Sequence, residues 1–106
     1  MSDDVLRALA ATIKSRRGAS GEKSYTRQLL DAGAEKCARK FGEEAIETII
    51  AGINGSEAEL TAESADVLYH LLVLLEVRGV DFAEVCRALE GRMAQSGLAE
   101  KAARSQ

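Results

Sequence analysis

Residues 61–78 form a stretch that is apolar on nearly every side of a helix. The apolar residues that cover its circumference are Ala65, Val67, Leu68, Leu71, Leu72, Val73, Leu74, Leu75 and Val77. Such a helix is buried on most sides, and a chain of 106 residues cannot easily surround it alone. Because a second subunit can cover the remaining face, the stretch predicts a helical protein that forms a homodimer.

The remaining segments also predict helices. The sequence contains no proline, which disfavours a β-rich fold with many turns. Helical patterns cover the first 17 residues, 25–32, about 34–53, 61–78 and 82 to about 95. Short turns between them imply antiparallel neighbours. We expect one all-α domain over residues 1–106, an antiparallel bundle of four to five helices, with about 1–23 and 97–106 at its periphery.

Several turn residues predict how the helices begin and end. Asn54 and Gly55 both tolerate the left-handed conformation of a helix C-cap, so they are expected to stop the 34–53 helix. Ser56 with Glu59 has the spacing of a capping box for the next helix. Asp81 with Glu84 has the same spacing and predicts a second capping box before the last helix.

Composition excludes several classes of function. Aromatic residues make up 4% of the chain, there is no Trp, and the net charge is −3, so a basic or stacking surface for nucleic acid is not expected. Cys37 and Cys86 have neither disulfide nor zinc spacing and are expected to be small core residues. The N-terminus is unlike a signal peptide and no apolar run can cross a membrane, which predicts a cytoplasmic protein without a membrane partner.

Acidic residues on two neighbouring helices form the candidate functional site. Glu63 and Asp66 lie at i and i+3 within the apolar 61–78 helix, and Glu44 and Glu47 repeat that spacing on the helix before it. If the two helices pack antiparallel, the four carboxylates converge. Two unit charges about 5 Å apart repel by roughly 3 kcal/mol at an effective dielectric constant of 20. The carboxyl pKa values therefore rise steeply, or a divalent cation lies among the acids.

Ligands that are all oxygen atoms suit Mg²⁺, with Mn²⁺ as an alternative, rather than zinc. Mg²⁺ keeps waters and recruits substrate phosphates, so the pattern indicates metal-assisted hydrolysis of a phosphoanhydride. A carboxylate that does not bind the metal can orient the attacking water or accept its proton. Lys40 lies one turn before the acids on the same side, where it can contact a phosphate.

Simpler interpretations of the same residues remain open. An acidic run on a helix is often only a solvated face, and Glu63 with Asp66 can be acids that the helix dipole favours in an opening turn. His70 lies on the same line of the helix as these acids. It is either a packed histidine or a substrate contact. Tyr25 is either a core anchor with its hydroxyl at the rim or a substrate contact.

Longer motifs resemble a known family. The acids in Glu43-Glu44-x-x-Glu47 and Glu63-x-x-Asp66 resemble the metal signature of the all-α NTP pyrophosphatases, the MazG-like superfamily. The flanking stretches SYT at 24–26, KFGEE at 40–44, ESADVLYHLLVLL at 63–75 and GLAEKAAR at 97–104 look like the phosphoribosyl-ATP pyrophosphatase family within it. The resemblance covers most of the chain from residue 24 onward.

The resemblance implies a function and a role for each site residue. Phosphoribosyl-ATP and water would give phosphoribosyl-AMP and pyrophosphate with Mg²⁺, the second step of histidine biosynthesis, in a homodimer. The implied metal ligands are Glu44, Glu47, Glu63 and Asp66, Glu43 is the implied catalytic residue, and the substrate-binding candidates are Lys40, Tyr25, Thr26 and His70. Two other functions stay open, a housekeeping nucleoside triphosphate pyrophosphatase of the same superfamily and a helical dimerisation module without catalysis.

Overall fold

The computed structural model describes residues 2–19, 24–94 and 104, and within these the chain is helical with no strand. Five α-helices follow one another: α1 (Ser2–Ser15), α2 (Tyr25–Ala32), α3 (Ala34–Asn54), α4 (Glu57–Val77) and α5 (Phe82–Met93), with a short 3-10 turn (Arg16–Gly18) after α1. This confirms the predicted all-α fold class. No helix among the described residues is long and apolar enough to cross a membrane.

The two longest helices, α3 and α4, form an antiparallel hairpin. The two residues between them allow only a tight reversal. Gly52 of α3 lies against Leu60 of α4, and one turn deeper Thr48 of α3 bonds to the backbone of Glu63. Residue numbers thus fall along α3 as they rise along α4. This register brings the middle of α3 beside the first half of α4.

The core lies where α1, α2 and the C-terminal half of α4 meet α3. Its buried residues are Ile13, Leu29, Leu30, Cys37, Leu72 and Val73. Ile13 of α1, in the segment that the sequence places at the periphery, is only 1% exposed. Cys37 is buried and its thiol donates to the Leu29 carbonyl, whereas Cys86 is half-buried on α5. The packing of α1 and α2 on α4 leaves the N-terminal half of α4 for the acids.

The turn residues act partly as predicted. The capping box of Ser56 and Glu59 is present at the start of α4. Gly55 does stop α3, but its φ of −88° is not left-handed. Glycine is required there because a Cβ atom would lie 2.9 Å from the backbone of Ala51. Asn54 still belongs to α3 and has no positive φ. The prediction of a left-handed cap at Asn54 and Gly55 was therefore wrong.

The predicted capping box at α5 was also wrong. Asp81 caps the helix through its side chain, which accepts from the backbone N–H of Ala83. The carboxylate of Glu84 pairs with Arg87 one turn later and does not return to the cap. The ion pair with Arg87 on the helix surface therefore occupies the Glu84 carboxylate, which the capping box would need.

Candidate metal centre

Three carboxylates from α3 and α4 converge at one point. Glu44, Glu63 and Asp66 each offer an oxygen atom, and these three oxygens all lie within 4.8 Å of one another. We call these three residues the acidic cluster. Glu44 and Glu63 are half-buried and Asp66 is exposed, so the cluster opens to solvent on one side. Oxygens this close together can share one divalent cation.

The backbone beneath the acidic cluster is joined by a threonine. The hydroxyl of Thr48 lies 2.8 Å from the carbonyl oxygen of Glu44, one turn earlier on α3. It also lies 3.1 Å from the carbonyl oxygen of Glu63 on α4. A half-buried hydroxyl thus links the two helices at the residues whose carboxylates meet.

Two carboxyl groups of the acidic cluster, those of Glu44 and Glu63, resist ionisation. Burial is the largest cause that raises the pKa of Glu44, followed by a hydrogen bond with Glu47 and the charges of Glu47, Asp66 and Glu63. Burial also raises the pKa of Glu63 above its ordinary value, with the charges of Glu47, Asp66 and Glu59. Glu47 therefore lies beside the acidic cluster as a fourth carboxylate, although it is outside the group of three.

The donor set fits a hard cation. Oε2 of Glu63 is buried and has no hydrogen-bond partner among the described residues. An acceptor in this state costs free energy unless something positive reaches it. All three donors are carboxylate oxygens, which Mg²⁺ and Mn²⁺ prefer and which are untypical of a zinc site. Two observations therefore indicate a cation site, the buried acceptor of Glu63 and the convergence of the three carboxylates.

Lys40 and Glu43 form an ion pair at the edge of the acidic cluster. Nζ of Lys40 donates to Oε1 of Glu43 over 3.1 Å. This bond is the largest cause that raises the pKa of Lys40 above its ordinary value, and the charges of Tyr25 and Glu44 act in the same direction. The lysine therefore keeps its positive charge next to the acids. Glu43 is exposed, and its carboxylate contacts Lys40 instead of joining the group of three.

The other substrate-binding candidates lie around His70. His70 is buried, at 6% exposure, while Tyr25 is 54% exposed and so is not a core anchor. Burial is the main cause that lowers the pKa of His70, and the charge of Lys40 adds to it, whereas Asp66 and Glu43 oppose it. The hydroxyl of Thr26 lies 2.5 Å from the hydroxyl of Tyr69. The candidates thus occupy one region, with the imidazole uncharged at neutral pH.

Two residues of this region did not emerge from the sequence. Thr48 lies one turn after Glu44, and Tyr69 is next to His70. The sequence shows their positions within each helix but not their partners on other helices. Thr48 bonds to the carbonyl of Glu63, and Tyr69 to the hydroxyl of Thr26. Only the register between helices reveals such contacts.

Comparison with known proteins identifies the family. The model of the phosphoribosyl-ATP pyrophosphohydrolase family matches residues 6–93. Phosphoribosyl-ATP pyrophosphatase 1 of Bradyrhizobium diazoefficiens is 58% identical over 98 residues, 92% of this chain and 92% of that protein. Phosphoribosyl-ATP pyrophosphatase of Cereibacter sphaeroides is 56% identical over 100 residues, 94% of this chain and 97% of the relative.

A further relative extends the similarity to almost the full length. Phosphoribosyl-ATP pyrophosphatase 1 of Rhodopseudomonas palustris is 52% identical over 104 residues, which are 98% of this chain and 97% of that protein. The matches include both helices that carry the acidic cluster. The chain belongs to the phosphoribosyl-ATP pyrophosphohydrolase family.

Proposed function

We propose that this protein hydrolyses phosphoribosyl-ATP to phosphoribosyl-AMP and pyrophosphate, the second step of histidine biosynthesis, with Mg²⁺ as its cation and Mn²⁺ as a substitute. Family membership supports the substrate. The observation that carries the chemistry is the acidic cluster, in which a buried oxygen of Glu63 has no partner among the described residues. An acidic protein can bind a polyphosphate when a cation bridges the two.

The cation would be held by Glu44, Glu63 and Asp66, with Glu47 alongside. Bound there, it would supply positive charge against the phosphate oxygens of the substrate. Its binding would also relieve the mutual repulsion that, with burial, raises the pKa values of Glu44 and Glu63. Glu47 is close enough to Glu44 to raise its pKa, so it can either join the ligands or orient the Glu44 carboxylate.

We assign the ion pair of Lys40 and Glu43 to the substrate phosphates and the attacking water. The ammonium group of Lys40 stays protonated and can contact a phosphate oxygen. The carboxylate of Glu43 is exposed beside it and can accept a proton from the water as its oxygen adds to phosphorus. The bond between that phosphorus and the leaving oxygen then breaks. Both roles use residues at the edge of the acidic cluster.

We also propose that the protein is a homodimer. Four isoleucines of α3 lie at i, i+3, i+4 and i+7 and are 56% to 75% exposed: Ile46, Ile49, Ile50 and Ile53. A continuous apolar stripe on the helix that carries Glu44 is typical of a subunit interface. A second copy of the chain would cover this isoleucine stripe.

A cytoplasmic location is consistent with the thiols. Cys37 and Cys86 are both free in the structure. Free thiols persist in reducing compartments, where disulfides are rare. We therefore propose that the enzyme is located in the cytoplasm.

Release of pyrophosphate from a panel of substrates tests the proposed activity. With Mg²⁺ present, we expect turnover of phosphoribosyl-ATP to exceed that of ATP and the other nucleoside triphosphates by at least about 100-fold in kcat/KM, since a specificity of this size needs only about 2.7 kcal/mol. Similar turnover of all triphosphates would favour a housekeeping pyrophosphatase. No turnover of any nucleotide, with intact helical content, would favour a dimerisation module.

A further inference from the structure

The only histidine of the chain lies against both of its tyrosines. The ring centroids of Tyr69 and His70 are 5.0 Å apart with the planes at 80°. Those of Tyr25 and His70 are 6.4 Å apart at 87°. We call these three rings the aromatic step. Tyr25 is the member with a large exposed area, while His70 is buried and Tyr69 is half-buried.

The exposed ring of Tyr25 stands on a firmly held backbone. Ser24 caps α2 by accepting from the N–H of Arg27, and the next residue, Thr26, is hydrogen-bonded to Tyr69 of α4. The guanidinium of Arg27 also donates to the carbonyl of Ala19, which ties α2 to the segment after α1. An exposed aromatic ring on a fixed backbone loses little conformational entropy when a ligand packs on it.

The aromatic step adjoins the acidic cluster. His70 follows Asp66 by four residues, so it lies one turn, about 6 Å, further along α4. The charges that act on His70 include Asp66, Glu43 and Lys40. Those that act on Lys40 include both Tyr25 and Glu44. Lys40 is thus near both the acidic cluster and the exposed tyrosine, and a phosphate held by Lys40 would have an aromatic surface close by.

A second observation at the aromatic step points to a ligand. Nδ1 of His70 is buried and has no hydrogen-bond partner among the described residues. Buried nitrogen atoms of this kind are nearly always paired, and an unpaired one costs free energy. A polar group of a ligand, directly or through one water, would recover that cost.

We propose that the aromatic step binds the adenine base of the nucleotide. The ring of Tyr25 would stack on the base, and Nδ1 of His70 would form a hydrogen bond with the ligand, directly or through one water. This inference rests on the proposed function, because it takes the nucleotide substrate as given. It assigns the triphosphate and the base to neighbouring parts of one surface, the acidic cluster with Lys40 for the phosphates and the aromatic step for the base. Tyr25 is then a specificity residue that the metal chemistry does not involve.

The test compares Tyr25→Leu, which keeps an apolar side chain, with Tyr25→Phe, which keeps the ring. Loss of base stacking costs about 1–3 kcal/mol, so Tyr25→Leu is expected to raise KM for phosphoribosyl-ATP about 5- to 150-fold with a smaller change in kcat. Tyr25→Phe is expected to restore most of the lost affinity. Leu89→Ala, at a similarly exposed apolar residue on α5, is the control and should leave KM unchanged.

Inhibition by AMP, a part of the nucleotide product, and by pyrophosphate, the other product, shows which part of the substrate loses affinity in Tyr25→Leu. Tyr25→Leu is expected to weaken inhibition by AMP at least about fivefold and to leave inhibition by inorganic pyrophosphate within about twofold, since stacking concerns the base alone. Equal weakening of both inhibitors, or an unchanged KM in Tyr25→Leu, overturns the inference. If the wild-type protein does not hydrolyse phosphoribosyl-ATP, the proposed function fails, while AMP binding measured by calorimetry still decides on the aromatic step.

The role of His70 has its own pair of variants. His70→Asn keeps a polar group close to the ring position of Nδ1, and His70→Leu removes it. We expect His70→Leu to weaken AMP inhibition more than His70→Asn does, although the apolar variant should be the more stable of the two at this buried position. Equal AMP inhibition in both variants would reduce His70 to a packing residue and contradict this part of the inference.

Discussion

The hydroxyl of Thr48 on α3 lies 3.1 Å from the backbone carbonyl oxygen of Glu63 on α4 and so connects the two helices that carry the acidic cluster. The same hydroxyl lies 2.8 Å from the carbonyl oxygen of Glu44. Its single proton is shared between the backbones of two residues whose carboxylates converge. The spacing of the acidic cluster therefore depends on a side chain that is not itself acidic.

Replacing Thr48 by Val should weaken metal binding. Valine has nearly the same shape but no hydroxyl, so the link between the backbones of Glu44 and Glu63 is lost. Loss of a group that orients metal ligands typically costs 10- to 100-fold in affinity, and we expect about 3- to 10-fold here because Thr48 bonds to the backbone. Calorimetric titration with Mg²⁺ measures this. Thr48→Ser, which keeps the hydroxyl, should bind within about twofold of wild type, and equal affinity in Thr48→Val would contradict the role.

The stability of the metal-free protein should show the raised pKa values of Glu44 and Glu63. Just above the ordinary glutamate pKa of about 4.3, the folded state binds more protons at these groups than the unfolded chain does. Their contribution to the free energy of unfolding therefore falls as the pH rises through this window. The Glu44→Gln variant lacks the part of this loss that Glu44 causes.

Thermal unfolding in the presence of EDTA checks this pH effect. Between pH 4 and pH 7 the Tm of Glu44→Gln should rise relative to wild type by about 2–5 °C. Mg²⁺ at about 100 times its Kd should add about 2.7 kcal/mol to the free energy of unfolding of the wild type. The wild type should then have the higher Tm of the two proteins. A Glu44→Gln variant that loses Tm relative to wild type as the pH rises without metal would argue against repulsion within the acidic cluster.

His70 should titrate below the ordinary histidine pKa of about 6.5, because burial and the charge of Lys40 disfavour its protonation. The chain has one histidine, so its imidazole signal in an NMR titration is unambiguous. Mg²⁺ bound at Asp66 would neutralise a charge that raises the pKa of His70, and the midpoint should then fall further. Stability due to the neutral imidazole is lost as the pH falls below about 6.5. A midpoint above that value would contradict the buried environment.

Replacing Ile49 by Glu should separate the proposed dimer. Ile49 lies within the isoleucine stripe, and a carboxylate buried in an apolar interface has no partner there. Analytical ultracentrifugation of the variant should give the mass of one chain at concentrations at which the wild type is a dimer. Leu89→Glu places the same charge at an exposed apolar residue of α5 and should leave the dimer intact. A dimeric Ile49→Glu variant would place the interface elsewhere.

Local signals in the sequence were sufficient for most of the fold. α2 runs from Tyr25 to Ala32 as predicted, because Ser24 caps its start and Gly33, at a φ of +97°, ends it. The turns at Gly55 and Asp81 were predicted less well. Gly55 is required by the close approach of Ala51, and such a contact across a turn is not visible in residue type alone.

The acidic cluster was predictable because its geometry follows from two simple rules. Spacing of i and i+3 places acids on one face, and a two-residue turn makes neighbouring helices antiparallel. The sequence did not reveal that Glu44 meets Glu63 and Asp66 more closely than Glu47 does, since this depends on the exact register. The exposure of Tyr25 and the link through Thr48 also follow from how helices pack, not from any one of them.

Binding of Mn²⁺, followed by electron paramagnetic resonance with the wild type and with Glu63→Gln, tests the central claim most directly. We expect a site in the wild type and an affinity at least about 10-fold weaker in Glu63→Gln, with unchanged helical content by circular dichroism. Glu35→Gln makes the same charge change at an exposed acid that pairs with Arg39, and should bind like the wild type. Equal Mn²⁺ affinity in Glu63→Gln and wild type would contradict a metal site at the acidic cluster.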